Sequence, residues 1–405
     1  MEFVPVHPEG VHGPALDEEL LVFTLHDGDQ IPRDLWGDRT EEVLARPDVR
    51  KAYLLERDWG ADRVAAHLAR ELGLSGYLRL NLARVVLDFG RFAGTSRAGE
   101  PYLTRHCMFP PVEHLLSEQA IHDVLARFYD ATSSELTQRF ASKRLTLAVH
   151  TYDTFNATGT ERPELSLVTR SMDYQQQSTL PGWLFDPLFP PILGETVADR
   201  RFTYRLAFDL EQAGYATAMD YPYVMPAGSV EIRAQVWFFF RHLRRAFTRA
   251  FPETRELPGY QRLWQMLLDP ARRSPEAEQL RAYLHRYRSA PAGQDELFAR
   301  ARQAYARIQE FLGTHRAELV DNYRNSPVRP STLGLEVRKD KLAWIDPDRG
   351  TVEPQPNADN YARRVARVIA GSVLDYIAER DPAELETGDL PAIGDAVPGF
   401  DASAP

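Results

Sequence analysis

Two spacings of apolar residues divide the chain. Through the first 150 residues, short apolar runs alternate with segments of helical period. Leu20-Leu21-Val22-Phe23-Thr24-Leu25 runs into His26-Asp27-Gly28-Asp29, the pattern of a buried strand that delivers a polar loop. Residues 61–72 set Val64, Ala65, Leu68 and Leu72 on one helical face. Val85-Val86-Leu87-Asp88-Phe89 reads as a second strand, followed by Gly90-Arg91. Residues 118–140 predict a helix with Ile121, Leu125, Phe128, Leu136 and Phe140 inward and Ser117 as its N-cap. Leu145-Thr146-Leu147-Ala148-Val149 is a third strand, ending at His150. The alternation predicts an α/β fold: a mostly parallel or mixed sheet flanked by helices. Ligands in such sheets bind beyond the carboxyl ends of the strands, where this reading places His26, Arg91 and His150.

The second half changes character. Residues 163–200, rich in Pro and polar residues, read as a long loop. From 236 to 326 the period is helical, opening on Trp237-Phe238-Phe239-Phe240 and continuing with Leu297, Ala301, Tyr305, Ile308 and Leu312. The aromatic run suits a helix core. A strand pair, Thr332–Val337 and Lys341–Ile345, precedes a closing helix over 358–379 with Tyr361, Val365, Val368, Ile369 and Leu374 on one face. The expected organisation is a core in two parts, 1–235 and 327–385, a helical insertion over 236–326, and a flexible tail over 386–405. Repeats of solenoid period, a P-loop and a Gly-x-Gly-x-x-Gly motif are lacking, so nucleotide chemistry has no support.

Composition narrows the class. Hydrophobic residues make up 43% and charged residues 26% of 405, enough for a sizeable core. One cysteine, Cys107, rules out an intrachain disulfide and favours a reducing compartment. The opening MEFVPVHPEG lacks the basic and apolar regions of a signal peptide, and no apolar window reaches the ~18 residues a membrane span needs. A cytoplasmic protein with no membrane partner is expected. The net charge of −10 argues against nucleic acid. The 236–326 stretch runs against that balance, being rich in Arg and free of Lys. It reads as a solvated helical surface, or as a docking face for an acidic protein partner or for self-association.

His26 and His150, both at strand ends, are candidate metal ligands. Zinc hydrolysis needs two or three His or carboxylate ligands and a carboxylate base. Several segments, in order, resemble the N-formylglutamate amidohydrolase family: LLVFTLHDGDQIP, ERDWGADRVAAHLARELG, NLARVVLDFGRF, LTLAVHTYD, EQAGYATAMDYPY and STLGLEVRKDKL. The resemblance implies a fold related to zinc carboxypeptidases and one Zn²⁺ bound by His26, Asp58 and His150. Asp58 also suits a helix N-terminal acid, and Asp29 is a rival ligand because His26-x-x-Asp29 copies a His-x-x-Glu spacing. Arg91 would clamp a substrate carboxylate with its planar fork, with Arg84 and Asp88 at neighbouring family positions. Two Glu-x-Arg segments, each read as a strand, offer a base: Glu336 in LGLEVRKDKL and Glu231 in GSVEIRAQV.

The chain departs from the family at Gly90 (an Asn there), Thr151 (a Ser) and Tyr129-Asp130-Ala131 (a Tyr-His segment). The expected activity is zinc-dependent cleavage of an N-acyl amino acid, N-formyl among the acyl groups, or a small acidic amide, on a non-peptide C–N bond. Two alternatives stand beside it: a metallocarboxypeptidase-like hydrolase of a peptide or modified peptide, and a catalytically inactive binding protein on the same fold.

Overall fold

The computed structural model describes residues 1–7, 15–95, 105–108, 112, 114–141, 143–156, 158–169, 186–190, 197–221, 229–269, 271, 273–326 and 329–379. A seven-stranded mixed sheet organises them. Its strands are β1 (Glu2–Pro5), β2 (Leu20–Thr24), β3 (Gly76–Arg79), β4 (Leu145–Tyr152), β5 (Leu165–Val168), β6 (Thr217–Met219) and β7 (Ser331–Arg338), in the order β1-β3-β2-β4-β7-β5-β6. The central strands β3, β2, β4 and β7 are parallel, β1 joins antiparallel to β3, and β5 joins antiparallel to β7. This is the α/β architecture expected from the alternation of strands and helices.

Strand alternation distributes the core. Leu20 and Val22, Leu145, Leu147 and Val149, and Leu333, Leu335 and Val337 point to one face. There they meet the helices Ala61–Glu71, Arg200–Gln212 and Ala358–Ala378 through Val64, Leu68, Phe202, Leu206, Val365 and Ile369. Both faces of β4 and β7 are buried, which is why these strands read as near-continuous apolar runs. The opposite face carries Thr146, Ala148 and His150 beside Thr332, Gly334 and Glu336, in direct register. Thr146 donates to Thr332 across the two strands at 2.9 Å.

The helices Val230–Ala250, Pro258–Leu267, Pro275–Leu284 and Asp295–Arg324 pack around a separate apolar cluster that includes Phe239, Phe240, Leu243, Phe247, Leu263, Phe298 and Ile308. The aromatic run is helix core, as its spacing predicts. The first of these helices runs unbroken through the expected boundary at 235/236, which therefore does not fall between elements.

Several local expectations are corrected. Val85–Phe89 is not a strand. Its side chains are fully buried, but the backbone closes in tight turns, with Val86 N and Leu87 N donating to Ala83 O. An apolar run reports burial, and buried turns give the same pattern as a buried strand. GSVEIRAQV is not a strand either: it opens the helix Val230–Ala250, with Ser229 as N-cap. The 163–200 stretch contains β5 and is not all loop. The two late strands do not pair with each other. β7 is central to the main sheet, and β8 (Ala343–Asp346) pairs with β9 (Thr351–Pro354). His150 lies inside β4, not past its end. The expected tail over 386–405 lies outside the described residues.

Candidate metal centre

His26 leaves β2 by a loop that turns sharply at Gly28. A Cβ there would stand 2.4 Å from Leu80 O and 2.5 Å from Asn81 O, so only glycine lets the loop lie against the exit of β3. Asp27 holds the loop by accepting from Thr24 Oγ1 at 2.7 Å and pairing with Arg79 at 3.1 Å. Asp58 sits just ahead of the helix Ala61–Glu71, and its backbone N–H donates to His26 O at 2.9 Å. That helix has Gly60 at its N-cap and no side-chain cap. The Asp58 carboxylate is turned instead toward the histidines.

The three residues converge. His150 Nδ1 is 3.0 Å from Asp58 Oδ2, and His26 Nδ1 is 3.6 Å from the same oxygen. The two imidazole centroids are 5.0 Å apart. One ligand atom from each residue lies within 4.8 Å of the others, and all three side chains are buried, so the group could hold a metal ion. The donor set itself fits: two imidazoles and one carboxylate are what Zn²⁺ takes in three-ligand sites with an open position. Asp29 is outside this group. Its half-exposed carboxylate pairs with Arg57 at 3.5 Å and Arg79 at 3.4 Å.

Asp88 stands behind His26. Its Oδ1 stands 2.9 Å from His26 Nε2, the nitrogen facing away from Asp58, though the angle is not that of a hydrogen bond. Gly90 N donates to the same oxygen at 2.7 Å. A Cβ on Gly90 would come within 2.9 Å of Asp88 Oδ1 and 3.5 Å of His26 Cε1, so the glycine leaves room for this close approach. Arg84 bridges the two carboxylates, reaching Asp88 Oδ2 at 3.1 and 3.2 Å, Asp58 Oδ1 at 3.3 Å and Glu56 O at 3.2 Å. Arg91 is fully buried, with Nε 3.6 Å from Asp88 Oδ2.

Charge is tightly coupled here. Burial favours neutral His26, and the Arg84 charge adds to that. The Asp88 and Asp58 carboxylates outweigh both and raise the imidazole from 6.5 to about 9. Burial likewise opposes ionisation of Asp58. The hydrogen bond with His150, the nearby His26 imidazole and the charge of Arg84 nevertheless hold it well below the usual carboxylate range. Asp88 is held low against its own burial by Arg84, His26 and Arg91.

The two base candidates are separated by fold. Glu336 on β7 is registered against His150 on β4 and Ser166 on β5, so these three side chains share one face in adjacent rows. Glu231 is buried in the first helical turn after Ser229. Tyr129 belongs to a π-helical turn, Leu125–Asp130, and its hydroxyl donates to Arg91 O at 2.7 Å. In the sequence Tyr129 stands out only as a departure from the family and Arg233 only as the arginine of a Glu-x-Arg segment; in the fold the Arg233 guanidinium donates to that same hydroxyl. Of the late Tyr-Pro-Tyr segment, Pro222 and Tyr223 lie outside the described residues.

No family model matches the chain, and no curated protein matches it. Among solved structures, it is similar to N-formylglutamate amidohydrolase from Ralstonia eutropha JMP134, with a TM-score of 0.46 and 14% identity over 93% of this chain and 98% of that one. A gene product of Agrobacterium tumefaciens gives a TM-score of 0.42 and 15% identity over 91% of this chain and 96% of the other.

Proposed function

We propose that the protein is a zinc-dependent amidohydrolase that cleaves an N-acyl amino acid or a similar small, carboxylate-bearing amide. The observation that carries this reading is the buried convergence of His26, Asp58 and His150, with ligand atoms within 4.8 Å of one another. The ordered resemblance of its segments to N-formylglutamate amidohydrolases supplies the reaction class.

His26, Asp58 and His150 would hold the ion. When bound, zinc supplies Lewis-acid activation of water and of the scissile carbonyl. Asp88, at the far nitrogen of His26, and Arg84, across both carboxylates, keep the ligands oriented, as outer partners of metal sites do. Glu336, beside His150, takes a proton from the attacking water and passes it to the leaving nitrogen as the C–N bond breaks. The water oxygen goes to the acyl carbon, giving a carboxylate and a free amine. Arg91 receives the substrate carboxylate through its planar fork, which Lys does not reproduce. The buried walls of the site keep bulk solvent from weakening these contacts.

The test is a panel of N-formyl and other N-acyl amino acids, C-terminal peptide substrates and the corresponding amides without a carboxylate, offered to zinc-loaded protein. Turnover of the N-acyl amino acids is expected. Turnover of peptides alone points to the carboxypeptidase-like alternative. No turnover, with no metal bound, points to the inactive binding protein.

A further inference from the structure

The loop that carries Asp88 and Arg91 is fastened from outside the site, and the fastening is unusual in its parts. Tyr129 is fully buried, stacks on Phe89 with centroids 5.7 Å apart and planes 8° from parallel, and gives its hydroxyl proton to Arg91 O. Arg233, also buried, stands with its guanidinium carbon 5.0 Å from the Tyr129 ring centroid. It donates to the Tyr129 hydroxyl, to Ser133 Oγ at 3.4 Å and to Phe89 O at 3.2 Å. Two carbonyls of the four-residue turn 88–91 are therefore gripped by one tyrosine–arginine pair. The tyrosine sits in a π-helical turn, a rare feature that concentrates at functional sites. The arginine sits in the first turn of the helix Val230–Ala250. Burying a guanidinium against hydroxyls and carbonyls is costly, and a Leu or Met would fill the same space more cheaply.

We propose that Arg233 and Tyr129 are positioning residues that set the backbone of the 88–91 turn, and through it the placement of the Arg91 guanidinium for an anionic substrate. The inference rests on the amidohydrolase reading for its substrate. It links the helical body to substrate selection, since Arg233 belongs to the first helix of that body. Neither residue touches substrate on this account; both act through Arg91.

Tyr129→Phe removes one hydroxyl and leaves the ring, so folding is preserved. Arg233→Met keeps the side-chain bulk. With zinc content unchanged, each should raise KM for a carboxylate-bearing substrate about tenfold, the scale of one buried hydrogen bond, with kcat within about threefold. Amides lacking the carboxylate should show no change. In an Arg91→Lys background the further loss from Tyr129→Phe should vanish, because residues acting through one group are not additive. A fall in kcat at constant KM, or full additivity with Arg91→Lys, overturns the proposal. If the parent hydrolyses no N-acyl amino acid, it is the functional reading that fails. Amide hydrogen exchange then decides the positioning claim. Exchange at Gly90 and Arg91 should quicken about tenfold in Tyr129→Phe while β4 is unaffected, and equal exchange in both proteins overturns it.

Discussion

Raising pH should weaken the metal-free protein in a defined window, and the magnitude follows from the surroundings of His26. The imidazole is fully buried between Asp58 and Asp88, and its pKa rises from 6.5 to about 9 in the folded chain. A group raised in the folded state stabilises fully below its unfolded pKa and loses that contribution as pH climbs through the folded one. At about 1.4 kcal/mol per pKa unit, the shift is worth about 3 kcal/mol. Urea titrations of chelator-treated protein should therefore show stability falling by about that amount between pH 6.5 and pH 9. Asp88→Asn, which removes the largest influence holding the proton, should flatten the slope. Saturating zinc should flatten it too, since a bound cation takes the place of the proton. An equal slope in Asp88→Asn, or no slope in the metal-free parent, refutes the charge account of the site.

Other substitutions test separate roles. Arg91→Lys should leave the unfolding free energy within about 1 kcal/mol of the parent but raise KM at least tenfold, because the ammonium lacks the bidentate fork. Steady-state kinetics on the active substrate decide it, and unchanged kinetics remove Arg91 as the clamp. Glu336→Gln should keep metal and fold yet lose ~10²–10⁴-fold in kcat, the usual worth of a general base. Glu231→Gln should be mild in the same assay. The reverse pattern would move the base to the first turn of the helix Val230–Ala250.

What the sequence made legible was governed by the sheet. Apolar runs buried on both faces announced β2, β4 and β7, and the polar residues interrupting or ending those runs are the ones the fold brings together. His26 and His150 stand out because a histidine in such a run needs a reason. Asp58 was harder, since an acid ahead of a helix has an ordinary electrostatic explanation. Only the fold shows its carboxylate turned to both imidazoles. The turn 85–91 defeated pattern reading because full burial there comes from packing and not from strand pairing. Glu231 looked like a strand residue for a related reason: VEIRAQV alternates, yet Ser229 caps a helix that the aromatic residues after it continue. The closeness of Asp88 to His26 and the grip of Arg233 on the 88–91 turn join positions far apart in sequence, and no local spacing encodes them.

Metal stoichiometry tests the His26-Asp58-His150 centre directly, measured by elemental analysis on the parent and on His150→Ala after zinc loading and removal of free metal. One zinc per chain is expected in the parent and loss of most of it in the variant, because two remaining protein ligands leave a poorly filled site. Well under half a zinc per chain in the parent, or equal zinc in both proteins, would contradict a centre built on His26, Asp58 and His150.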